Sequence, residues 1–174
     1  MKLIAVDKSL YRQRMNRLIV VFVGSLALLS VLLGSGLIAL FGVTPLPGAQ
    51  STGNFHWNLL GVLLALGFCS AVLHSQRRHA YLHEVLYVWQ LKQWQNRIYR
   101  KLIKVKAAAA KNDVNALIIL TFYYESLHQV YLLDDNTLTL PALTEDRQAL
   151  SDQVASLGLS ISAEQFEPNL LQSI

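Results

Sequence analysis

This chain of 174 residues is 53% hydrophobic and only 15% charged, whereas about a quarter of the residues in an average soluble domain are charged. The deficit is local: Leu18 to Gln76 contains no Asp, Glu, Lys or Arg, which excludes a water-facing helix surface there and points to lipid. The net charge of +4 comes from the first seventeen residues and from the stretch Arg77 to Lys111. Basic charge flanking an apolar block suits anionic lipid headgroups, and no recognition motif accompanies it, so nucleic acid is not an expected partner.

In chain order, the basic segment 1–17 is followed by "LIVVFVGSLALLSVLLGSGLIALF", 18–41. This run exceeds the roughly 20 apolar residues needed to cross a bilayer and is too long for a signal-peptide core. A second apolar run covers 56–74, with Phe55 and Trp57 at one end, where an aromatic belt is expected. The connection "GVTPLPGAQSTGN" predicts a tight polar turn without Lys or Arg. Because Arg12, Arg14 and Arg17 precede the first span and Arg77 and Arg78 follow the second, the positive-inside rule predicts two cytoplasmic termini. Small residues four apart could bring the spans together: Ser30 with Gly34, Ser35 with Ala39, Gly61 with Ala65, and Gly67 with Ala71. Cys69, the only cysteine, cannot form an intramolecular disulfide.

No glycine or proline occurs between Gly67 and Pro141, which favours helix. The second span is expected to run on, with or without a bend near Ser75, into an amphipathic helix. Its apolar face carries Tyr87, Leu91, Trp94, Ile98, Leu102 and Val105. Arg97, Arg100, Lys101, Lys104 and Lys111 lie on a different arc. Asn112 or Asp113 is a suitable N-cap for the next helix, 114–133, which is apolar almost all round and predicts a buried central helix. "DDNTLTLPAL" reads as a turn with a short extended piece. Thr144 with Glu145 and Asp146 would start another helix, which Gly158 can end, and Ser162 with Gln165 has capping-box form before a short terminal helix.

Three chemistries can be weighed. His79 and His83 are four apart and would share a helix face, with His74 about 100° away, so a metal is conceivable. Three or four ligands are usually needed, and Arg77 and Arg78 oppose a cation there, so no metal or cofactor is expected. Haem held by His56 and His74 would need a partner chain, because the first span has no histidine. Asp134 with Asp135 reads as a helix-end turn rather than an acid–base pair. No glycine-rich phosphate loop, nucleophile elbow or zinc-type cysteine pattern is present, so no enzymatic activity is expected. The remaining interaction candidates are Arg97, Arg100, Lys101 and Lys104 with the interleaved Trp89 and Trp94.

At "YVWQLKQWQNRIYRKL", "NDVNALIILTFYYESL" and "LDDNTLTL" the sequence resembles a small family of uncharacterised proteobacterial inner-membrane proteins, a domain of unknown function. The resemblance covers nearly the whole chain and implies two spans with a cytoplasmic C-terminal part. It implies no activity and carries no catalytic residues.

Taken together, the expectation is an all-α protein: a basic cytoplasmic segment 1–17, a transmembrane hairpin over 18–76, and a small cytoplasmic helical bundle over 77–174. Its expected role is non-enzymatic: an inner-membrane protein whose cytoplasmic domain meets a protein partner, a second copy or anionic lipid headgroups. The alternative is a metal- or haem-binding redox subunit.

Overall fold

A computed structural model describes residues 2–44 and 52–173. Among the described residues the protein is all-helical: α1 (Lys8–Phe41), α2 (Phe55–Ser75), α3 (His83–Tyr99), α4 (Leu102–Ala109), α5 (Val114–Leu133) and α6 (Leu140–Ser156), with short 3₁₀ turns between and after them. Two compact units result, one of Met1–Arg12 with Glu84–Ile174 and one of Gln13–His83. The centre of the turn expected between the apolar helices, 45–51, lies outside the described residues.

Helices α1 and α2 are both long and apolar enough to cross a membrane. Mean hydropathy reaches 2.5 in the first and 1.7 in the second. Their large side chains point outward, with Val20 70% and Val31 66% exposed, and what they bury against each other is small. Gly34 is buried on α1, and Gly61, Ala65 and Cys69 form a buried stripe on α2. A Cβ on Gly61 would stand 2.5 Å from the Gly34 nitrogen, so the backbones approach as only glycine permits. The expected Gly61–Ala65 pair and Gly34 are therefore in the seam. Ser35 and Ala39 are exposed, as are Gly67 and Ala71. At the connected ends, Asn54 is buried and its side chain holds both the Val43 N–H (3.0 Å) and the Val43 carbonyl (3.2 Å). Phe41 stacks on Trp57 at 5.3 Å.

The second apolar helix does not run on into α3. It ends at Ser75, two 3₁₀ turns follow, and His79 sits between them in extended conformation (φ −70°, ψ 135°). The His79 Nδ1 accepts the Tyr81 N–H at 3.2 Å, offering the backbone a side-chain cap in place of the next helical bond. Helical spacing between His79 and His83 is thereby lost.

In the other unit, buried or half-buried residues recur along α3 and α4 at Val88, Leu91, Gln95, Ile98, Leu102, Val105 and Ala109. This alternation of three and four is a 3.5-residue repeat, tighter than the 3.6 of a straight helix. One overwound step accommodates it: the Lys101 N–H donates to the Ile98 carbonyl at 2.9 Å. The amphipathic helix expected to be continuous is interrupted there.

Helix α5 occupies the expected span, and Asp113 caps it, its carboxylate accepting the Ala116 N–H at 2.9 Å. Asn112 precedes the cap with φ 63°. The Asn112 N–H reaches Ala109 and the Asp113 N–H reaches Ala108, which closes α4 in a Schellman motif. Gly158, φ 65°, ends α6 in the same manner. Ten residues of α5 are buried, Phe122 among them, and Phe122 stacks on Phe166 at 4.1 Å. Trp94 meets Phe166 edge-on at 5.8 Å. Glu125 is paired with Arg147 of α6 at 2.6 Å.

Two boundaries differ from expectation. Helix α6 begins at Leu140 rather than Thr144, because Pro141 supplies a helix-compatible φ in the first turn, where its missing N–H costs nothing. The extended piece before it is absent, and the terminal helix is reduced to two 3₁₀ turns. Gln165 does reach back to the Ser162 N–H at 3.2 Å.

Residues 2–12 belong with this unit and are held by a closed ring of hydrogen bonds. The Ile4 N–H donates to the Tyr87 hydroxyl (3.0 Å), which donates to Gln129 Oε1 (3.2 Å). Gln129 Nε2 then returns a bond to the Ile4 carbonyl (2.6 Å). Lys8 and Arg12 both pair with Asp135, and Tyr11 is buried.

Candidate functional site

The basic residues of α3 and α4 fall into two groups. Some are engaged within the unit: Lys101 Nζ donates to the Leu171 carbonyl at 2.8 Å, and the Arg97 guanidinium lies 4.6 Å from the centre of the half-buried Trp94 ring. Lys106 pairs with Asp146 at 3.6 Å and lies over Tyr124. Its hydrogen bond to Tyr124 raises its pKa despite partial burial. Others face solvent: Arg100 and Lys104 are exposed, as is Trp89 at 56%. Ile103, 88% exposed, lies beside them in sequence. Of the expected interaction set, Trp89, Arg97, Arg100 and Lys104 are thus exposed, Arg97 with its guanidinium over the Trp94 ring. Lys101 and Trp94 help hold the C-terminal turns.

Tyr123 and Tyr124 of α5 are core residues, and Tyr131 is half-buried. Burial, reinforced by Tyr131, Tyr124 and Tyr99, pushes the Tyr123 hydroxyl up to about 12. Burial likewise raises Tyr124, with Lys106 acting in the opposite direction.

His74, His79 and His83 are all exposed. His79 already uses Nδ1 for the Tyr81 amide, and no group of three metal-capable side chains exists among the described residues.

A more developed concavity lies within the hairpin unit. It is an apolar groove of about 530 Å³ lined by Leu18, Val21, Phe22, Ser25 and Leu29 of α1 and by Phe68, Cys69, Val72 and Leu73 of α2. One end is polar, closed by Arg17, Gln76, His79 and Tyr81. The Tyr81 hydroxyl is buried with no hydrogen-bond partner among the described residues, and the Arg14 guanidinium lies 5.2 Å from the centre of its ring. Sequence reasoning singled out His79 and Arg17 for other reasons and missed Tyr81 and the groove. Neither is visible until two helices are juxtaposed.

Residues 1–171 match the family described as Protein of unknown function (DUF3087). The chain belongs to that family. No curated protein and no solved structure matches this DUF3087 chain.

Proposed function

We propose that this DUF3087 protein is a non-enzymatic two-span protein of the bacterial inner membrane. Its α1–α2 hairpin is the anchor, both termini are cytoplasmic, and its C-terminal helical domain offers a surface to a protein partner. The carrying observation is the reversed polarity of the hairpin unit, whose large apolar side chains face outward and whose interior is glycine and alanine. In water, that outward apolar surface would be an aggregation site. In lipid it is the expected solution, since close packing of small residues there replaces hydrophobic drive. Arginine on the sequence flanks, and none in the connection, supports the orientation. The docking face rests on Trp89 of α3, Lys104 of α4 and Arg100 between the two helices, all left to solvent.

Two measurements test this. The full chain should stay with membranes through alkaline carbonate extraction. In a Cys69→Ala background, Thr52→Cys should react with an impermeant maleimide in intact cells, and Gln172→Cys only after lysis. The opposite labelling pattern would overturn the topology. Trp89→Ala combined with Lys104→Glu should lower crosslinking to cytoplasmic partners, and unchanged crosslinking would remove the docking face.

A further inference from the structure

We infer that the groove between α1 and α2 holds an acyl chain of an anionic phospholipid from the cytoplasmic leaflet, with its phosphate met by Arg17, His79 and Tyr81. The inference rests on the membrane reading above and gives the hairpin a specific ligand.

Length is the first argument. On α1 the groove runs from Arg17 to Leu29, a rise of about 18 Å at 1.5 Å per residue. That is close to the roughly 15 Å hydrocarbon depth of one leaflet. The volume, about 530 Å³, falls within the roughly 300–1,000 Å³ of ordinary ligand sites. Apart from Ser25 the groove is apolar along its length and polar at one end, which matches a single tail with a head rather than a second apolar helix.

The chemistry of that end is the second argument. Arg17 has no ion pair among the described residues. His79 accepts an amide hydrogen at Nδ1, which leaves Nε2 as the donor of the ring. The Tyr81 hydroxyl is buried and unpartnered, a costly state that an acceptor oxygen would relieve. An imidazole N–H, a phenol O–H and a guanidinium fit phosphate, to which arginine can bond through two N–H groups. A zwitterionic headgroup carries the same phosphate but adds a positive charge beside Arg17, which opposes it.

The test uses the full chain in mild detergent with equimolar phosphatidylglycerol and phosphatidylcholine of identical acyl chains, and counts retained lipid by native mass spectrometry. One phosphatidylglycerol per chain is expected in preference to phosphatidylcholine. Arg17→Gln should lower that retention about tenfold, the equivalent of about 1.4 kcal/mol for one lost hydrogen bond to a charged group, and lower phosphatidylcholine less. Tyr81→Phe should act in the same direction, and Ser25→Phe should reduce both lipids by filling the groove. Arg78→Gln, outside the groove, should lower retention less than Arg17→Gln does. Equal retention of the two lipids, no retained lipid, a co-purifying neutral quinone, or an equal loss in Arg78→Gln would each overturn the site. Release of the wild-type chain by carbonate would instead overturn the membrane reading on which the site rests.

Discussion

Buried residues of the hairpin are small, with Gly34, Gly61, Ala65 and Cys69 against outward valines and leucines. Those of the C-terminal unit are large, with Phe122, Phe166, Leu91, Ile98 and Leu117 beneath polar and charged side chains. On the proposed membrane reading, the contrast reflects two solvents acting on one chain. In water, burial of large apolar side chains is the main drive, worth about 1.5–3 kcal/mol each. Against lipid that drive vanishes, and what remains is close backbone approach. The polar groups differ in the same sense. In the C-terminal unit they build a ring through Ile4, Tyr87 and Gln129, whereas among the groove-lining residues of the hairpin they gather at one end.

The largest expected effect is in the C-terminal unit. Phe166→Ala removes the ring stacked on Phe122 and should cost about 3–5 kcal/mol, read as a lower urea midpoint for that unit. If the midpoint is unchanged, the C-terminal turns are not part of its core. In the hairpin, Gly61→Leu must push α1 away and should cost about 1–3 kcal/mol by overpacking. With Trp89 and Trp94 replaced by Phe, Trp57 becomes the sole tryptophan reporter, and its emission should shift while the circular-dichroism melt of the C-terminal unit stays put. A shift in both would break the separation of the units.

The tyrosine core provides a pH test. The folded Tyr123 pKa, about 12, lies above its ordinary 10.0, chiefly because burial disfavours the phenolate. The stability this reflects is complete below about pH 10. It is lost as pH rises through about 12. Thermal melts should therefore fall across that window, and Tyr123→Phe should flatten the fall; an equal slope in the variant would remove Tyr123 as its source. The smallest effect concerns Asp135→Asn, which frees Lys8 and Arg12. These groups are about half exposed, so at most about 1 kcal/mol is at stake. The difference should shrink further in high salt, and a larger, salt-insensitive loss would mean that the N-terminal segment is held mainly by this pair.

Both apolar helices were legible because a charge-free run of that length has few other readings. Helix α5 was legible at both ends, since Asp113 is a strong cap and the apolar run stops at Asp134. The surface candidates were half legible. Helical spacing separated Arg97 and Lys101 from the apolar face, but not from Trp94 and Leu171, which lie three residues and seventy residues away. A bend near Ser75 was left open by the sequence, because what decides it is one histidine side chain capping a turn. The start of α6 was misplaced because Thr144 with its acidic pair imitates a cap that Pro141 makes unnecessary.

By itself, the sequence determined the helical class, the two apolar segments and the helix ends at Asp113 and Gly158, all of which depend on residues within a turn or two of one another. Only the tertiary structure decided which small-residue stripe became the seam, that Phe166 completes the core, and that Tyr81 closes a groove beside Arg17. Each of these depends on the surface that a distant segment presents, and local spacing carries no record of that surface.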